Sequence, residues 1–302
     1  MSKTAGIKKT ATHGLLSPAA IAVLAPILFV VLWSSGYIVA KLAAPNATPL
    51  WFLCIRFFST CCVLIPIILW VKAPWPKTSQ TKHLIVSGAL IHAGYLAGVW
   101  VAVRLGMPAA LSALIVNLQP ILTAAAGPWM NEKVSTKQWF GLILGFVGVS
   151  IVVAQRSNTG DVTGLNLALC IGALLAITAG TLYQKRFTPN FDLRTGTVIQ
   201  YAASTLILLP FALWFEASAS FNWVPSLWFA WAWSVFALSI GAIFLMFWLI
   251  ANGAATATAS LFFLVPPVTS LMAWILFDEP FGYVALGGMV LTAVGVTLVQ
   301  RK

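Results

Sequence analysis

Ten runs of apolar residues follow one another along the chain, at about 20–41, 49–71, 83–103, 107–130, 137–155, 163–185, 194–215, 226–250, 255–277 and 280–300. Each is long enough to cross about 30 Å of hydrocarbon at 1.5 Å per residue. In lipid the backbone must satisfy its own hydrogen bonds, so such runs fold as helices, and an all-α integral membrane bundle follows. Ten crossings of about 20 residues leave about 100 residues for a tail and nine short connections. A large extramembrane domain has nowhere to sit.

The charge inventory agrees. The chain holds 17 basic and 6 acidic residues among 302, where a soluble chain of this size would carry roughly 75 charges. A net charge of +11 attracts phosphate backbones in principle. Here, however, the basic residues are scattered at the ends of apolar runs, without a basic face or aromatic-basic interleaving, so no nucleic-acid partner is expected. Cys54, Cys61, Cys62 and Cys170 lie inside apolar runs with no metal or disulfide spacing. No metal or cofactor is expected. The first run follows Lys3, Lys8 and Lys9 but exceeds the 7–15 residues of a signal-peptide core, and it reads as a retained helix. With the N-terminus cytoplasmic, thirteen Lys and Arg fall on the inner side against Lys41, Arg104 and Arg156 on the outer. That bias places both termini in the cytoplasm.

An internal repeat organises the runs. Advancing 144 positions carries Gly36 onto Gly180, Lys41 onto Lys185 and Pro66 onto Pro210. Advancing 147 carries Gly106 onto Gly253, Pro120 onto Pro267, Glu132 onto Glu279, Gly141 onto Gly288 and Gly148 onto Gly295. The seam is polar, at 156–162, and separates five crossings in 20–155 from five in 163–302, after a cytoplasmic tail at 1–19. An odd number of crossings forces the second half to enter the bilayer upside down. Two inverted five-helix repeats around a central cavity are the expected architecture.

These residues also carry a resemblance. Trp33-Ser-Ser-Gly-Tyr-Ile-Val-Ala-Lys41 followed by Leu53-Cys-Ile-Arg56-Phe-Phe resembles the opening of an EamA-type half in the drug/metabolite transporter superfamily. The two closing segments are similar to the family as well: Pro120 through Asn131-Glu132-Lys133 to Gly141 and Gly148, and Pro266-Pro267 through Asp278-Glu279-Pro280 to Gly288 and Gly295. The resemblance implies a ten-helix exporter of small metabolites in a bacterial inner membrane. Amino-acid efflux is prominent in that family, and exporters of aromatic amino acids are among its members. The sequence departs from internal symmetry where Asn117-Leu-Gln119-Pro120 faces Leu264-Val-Pro266-Pro267.

A polar side chain at membrane depth costs free energy unless it meets protein or water, so each is a candidate site residue. Arg56 lies about seven residues into its run, where it can bond neighbouring carbonyls, snorkel outward or meet a substrate carboxylate. Gly88, His92 and Tyr95 share one stripe; His92 is either a structural partner of a neighbouring helix or a carrier of a coupling proton, and its repeat mate is Ser239. Asn117 and Gln119 precede Pro120, which frees an upstream carbonyl, and Pro266 and Pro267 do the same in run nine, so two bent or broken helices are expected. Trp33, Ser34 and Tyr37 suit an aromatic cavity wall, with Phe244, Trp248 and Phe262 as counterparts in the second half. Glu132 and Glu279 suit the starts of the following helices, and Gly141 and Gly145 permit close helix approach.

No acid lies well inside any run, which disfavours a carboxylate-built sodium site and leaves uniport, exchange or proton coupling. The expected function is a secondary transporter, monomeric in the lipid bilayer, that exports neutral or aromatic amino acids by alternating access. The alternative, an integral membrane enzyme acting on lipid or prenyl substrates, lacks the metal-holding carboxylates or nucleophile–base pair it needs. A channel lacks a continuous polar path.

Overall fold

A computed structural model describes residues 18–126, 135–158, 162–218, 221–252, 261–279 and 282–300. Glu132, most of the tail and the middle of the linker therefore lie outside the described residues. Among these residues the protein is all helix, without strands. The helices are α1 (Pro18–Ala43), α2 (Pro49–Val71), α3 (Thr78–Arg104), α4 (Ala109–Val116), α5 (Gln119–Ala125), α6 (Thr136–Asn158), α7 (Gly164–Phe187), α8 (Leu193–Phe215), α9 (Pro225–Ala232, continuing through Trp233–Ala242 to Ile243–Asn252), α10 (Val265–Phe277) and α11 (Tyr283–Gln300). Among the described residues seven helices are long and apolar enough to cross a membrane, and Ala109–Thr123, Val265–Phe277 and Tyr283–Leu298 are shorter apolar helices.

The outside of the bundle is as apolar as its inside. Trp70 and Trp214 are 85% and 83% exposed, and Phe58, Leu69, Leu206 and Ile275 also face outward. Buried positions instead hold Ser34, Thr60, Ser87, Asn166, Ser204, Ser234 and Thr269. Such an inside-out distribution is stable only with hydrocarbon as the solvent, and the chain is an integral, multi-pass membrane protein.

The helix ends are closed by specific groups. Thr163 and Asn166 form a capping box at the start of α7, each side chain accepting from the other's backbone N–H, at 3.2 and 2.9 Å. Asp192 caps α8, accepting from the N–H of Arg194 and Thr195. The start of α2 has no local side-chain cap. Its Leu50 and Trp51 N–H groups donate instead to the Glu216 carboxylate, both at 3.1 Å, from the end of α8. α6 runs to Asn158, into the stretch expected as linker.

Two features depart from simple α-helices. α3 passes through a π-helical stretch at Ala89–Gly94, and α9 through one at Trp233–Ala242. The expected interruptions occur as well: a turn at Asn117 and Leu118 separates α4 from α5, and a 3-10 turn at Phe262–Leu264 precedes α10. Pro266 and Pro267 stand in the first turn of α10, where an N–H has no intrahelical partner to lose.

Packing pairs α2 with α8 and α6 with α11, sets α3 against α7 and α1 against α9 and α10, and puts α4 between α7 and α10. The α6–α11 seam is the closest. A Cβ on Gly148 would lie 2.6 Å from the Gly288 carbonyl oxygen, and one on Gly295 would lie 2.5 Å from the Gly145 nitrogen. Only glycine permits that backbone approach.

Candidate functional site

The polar centre lies where α2 and α8 meet α3 and α9. Arg56 is 5% exposed and its Nε donates to Ser239 Oγ at 3.0 Å. His92 Nε2 and Gln200 Oε1 lie 3.3 Å apart, with the imidazole as the natural donor. Gln200 Nε2 donates in turn to Ser87 Oγ at 2.9 Å and Gln184 Oε1 at 2.7 Å. Between these bonds the rings of Phe57 and Tyr201 stack at 4.8 Å, and Tyr201 meets His92 edge-on at 4.5 Å. The approach of α3 depends on Gly88, since a Cβ there would lie 2.7 Å from Gln200 Cα.

Above this centre the Tyr37 and Tyr95 hydroxyls lie 3.3 Å apart, joining α1 to α3. A second cluster joins α1 to the start of α10. The rings of Trp33 and Phe262 meet edge-on at 5.0 Å, Phe29 touches both at 5.4 Å, and Ser34 Oγ donates to the Val265 carbonyl at 3.4 Å, one residue before buried Pro266. Trp233, at the start of the π stretch in α9, donates its Nε1 to Ser35 Oγ at 2.8 Å.

The remaining candidates sit apart from these clusters. Asn117 is buried and donates back to the Ala113 carbonyl at 2.8 Å, which satisfies its amide nitrogen within its own helix. Gln119 donates to Thr181 Oγ1 at 3.1 Å on α7. Phe244 is half-buried on α9 and Trp248 is 41% exposed. A groove of about 690 Å3 lies between α5 and α6, walled by Ile121, Leu122, Trp139, Leu142 and Phe146, and none of the twelve candidates lines it.

Gln200, Tyr201 and Trp233 do not stand out in the sequence on their own. The signal was present for two of them: the 144-residue register that matches Lys41 to Lys185 also carries Arg56-Phe57 onto Gln200-Tyr201. Groups of three or more His, Cys, Asp or Glu able to hold a metal do not occur among the described residues.

A multi-pass helical bundle with polar groups concentrated at its centre is the layout of a membrane transporter. The profile of the EamA-like transporter family matches residues 20–154 and again residues 164–301, and the chain belongs to that family. It is 26% identical to the uncharacterized transporter YvbV of Bacillus subtilis over 90% of this chain and 89% of that one. It is 25% identical to the uncharacterized inner membrane transporter YedA of Escherichia coli, over 89% and 88%. A probable amino-acid metabolite efflux pump of Salmonella typhimurium is 28% identical over 62% of this chain and 61% of its own. A crystal structure superposes with a TM-score of 0.65 at 16% identity, covering 92% of this chain and 96% of that one, which shows a shared fold. The family and its transporter-named relatives point to a transporter rather than an enzyme, which sets aside the lipid- or prenyl-modifying alternative.

Proposed function

We propose that the protein exports small amphipathic metabolites, neutral or aromatic amino acids foremost, across a bacterial inner membrane. It does so by alternating access between two inverted five-helix repeats, 20–155 and 163–302, with ten crossings and both termini cytoplasmic. The observation that carries this reading is an exchange of partners at the centre. Under the two registers Arg56 corresponds to Gln200 and Ser239 to His92. The Arg56–Ser239 bond and the Gln200–His92 bond are then the same bond made twice, once from each half. Phe57 and Tyr201, each other's counterparts, stack where a two-fold axis would pass. Further support comes from the π stretches, since Ala89–Gly94 advanced by 147 falls inside Trp233–Ala242. Pro66 and Pro210 stand inside α2 and α8, and Gly148 packs on Gly288 while Gly295 packs on Gly141 and Gly145.

The repeat is broken in charge. Arg56 is a cation where its counterpart Gln200 is a neutral amide. Salt bridges among the described residues use other cations, namely Lys41 and Arg194. A buried cation is stabilised by a counter-ion, and a substrate carboxylate supplies one in this reading. Trp33, Tyr37, Tyr95 and Phe262 offer aromatic surface for the side chain. The efflux-pump relative supports amino acids or their metabolites as cargo.

The test is flux in liposomes holding the purified chain. Neutral amino acids, aromatic or methionine-like above all, exchange faster than aspartate and faster than in protein-free vesicles. Equal flux in both kinds of vesicle removes this substrate class. Repeating the panel with and without a pH gradient separates proton coupling from uniport and exchange.

A further inference from the structure

One end of the bundle is tied shut across the two halves. Lys41, in the last turn of α1, places its Nζ 2.5 Å from Glu279 Oε1, and the same oxygen accepts the N–H of Ala109, first residue of α4, at 3.2 Å. Lys41 also sits over the Phe277 ring, 4.9 Å from its centroid. α1 and α4 come from the first half of the chain, whereas Glu279 and Phe277 come from the second. One carboxylate oxygen thus meets both a helix C-terminus, through a cation, and a helix N-terminus, through an amide, with favourable dipole alignment at each.

The turn that carries the carboxylate is hydrogen-bonded back onto α10. Asp278 ends α10 in the left-handed region at φ 53°, its N–H donating to the Trp274 carbonyl at 3.1 Å, and the Glu279 N–H folds back to Ala273 at 3.3 Å. Glu279 is 8% exposed, and among the described residues its Oε2 has no hydrogen-bond partner. An acid so deeply buried with one oxygen idle is costly for stability alone, and a role that requires the contact to be made and broken accounts for it.

We propose that Lys41 and Glu279 form a latch that holds this end of the bundle closed and must open in each transport cycle. The proposal rests on alternating access, since rocking of one half against the other separates α1 and α4 from the segment after α10. Breaking the pair shifts the population toward molecules open at the Lys41 end.

Cys170 on α7 reports the opening. It is fully buried, with Sγ 3.6 Å from the hydroxyl of Ser112, one turn below Ala109. In the full chain with Cys54→Ala, Cys61→Ala and Cys62→Ala, placed in lipid nanodiscs that expose both faces, the rate of Cys170 alkylation by a water-soluble maleimide is measured. Lys41→Met and Glu279→Gln each raise that rate about fivefold, and the double variant raises it no further, because the two residues act as one contact. Lys41→Arg, which keeps the charge, labels close to the parental rate and shows that the site tolerates substitution. Unchanged rates in both single variants, or effects that multiply in the double variant, overturn the latch. The measurement needs no substrate. Labelling that responds as stated while liposomes carry no amino acid leaves the latch standing and removes the cargo assignment.

Discussion

Two of the interfaces that join the halves of this chain are built on opposite principles. At the α6–α11 seam, backbone lies on backbone: Gly148 against Gly288, Gly295 against Gly145. At the centre, α2 and α8 are held by a stacked ring pair flanked by hydrogen bonds to α3 and α9. A glycine seam draws on van der Waals packing and has few ways to rearrange. A hydrogen-bonded centre can exchange partners, with a substrate or with water, at small net cost. On the proposed function, the first interface supplies cohesion and the second is where cargo is met.

The sharpest way to break that division is a side chain in the seam. Gly148→Leu puts atoms where a Cβ alone would approach the Thr292 nitrogen to 2.8 Å. Overpacking of this kind costs about 1–3 kcal/mol or more, so the unfolding midpoint in detergent falls and flux falls with it. A variant that unfolds normally yet loses flux would move function into the seam.

Arg56→Gln makes the centre symmetric in charge. Loss of its charged contact is worth about 1.5–3 kcal/mol, so flux of a carboxylate-bearing amino acid drops by about tenfold or more, while the unfolding midpoint stays near that of the parent. A proportional loss of stability instead would make Arg56 a structural arginine. His92→Ala removes the one histidine of the centre and changes the pH profile of flux with folding intact. An unchanged profile leaves His92 as a helix-to-helix contact with Gln200 and no proton role.

The smallest effect belongs to neither interface. Hydrogen bonds from Arg194, and behind them the N–H groups it caps, hold the Asp192 carboxyl below its usual range. Its contribution to stability is therefore present above the unfolded-state pKa and lost as pH falls through the lower folded-state one. Asp192→Asn flattens the acid limb of the stability profile below about pH 4 and leaves flux at neutral pH unchanged. A neutral-pH flux defect would tie this helix end to the cycle.

Much of the molecule was legible because lipid simplifies the code. Run length alone located most helices, and the Pro120 and Pro266-Pro267 positions fell at the interruptions the structure contains. The glycines matched between halves, Gly141 with Gly288 and Gly148 with Gly295, are the residues on which α6 and α11 close. The π stretches were not legible. One added residue in a turn leaves no mark on composition, and the stripe of Gly88, His92 and Tyr95 reads equally well on an unbroken α-helix. Pairing across the bundle was equally hidden. Arg56 and His92 stood out as polar residues in apolar runs, but their partners Ser239 and Gln200 come from distant helices, and only the register linking the halves relates the two bonds. The bond that Asn117 makes back one turn to Ala113 was hidden as well, since an amide in an apolar run does not announce its partner.

α3 and α9 share a wide turn. On the register that relates the halves, Ala89–Gly94 and Trp233–Ala242 carry the same irregularity at corresponding positions. The family profile matches both halves, so the wide turn recurs in two copies of one family domain, and it carries a histidine, His92, in the first and a serine, Ser239, in the second.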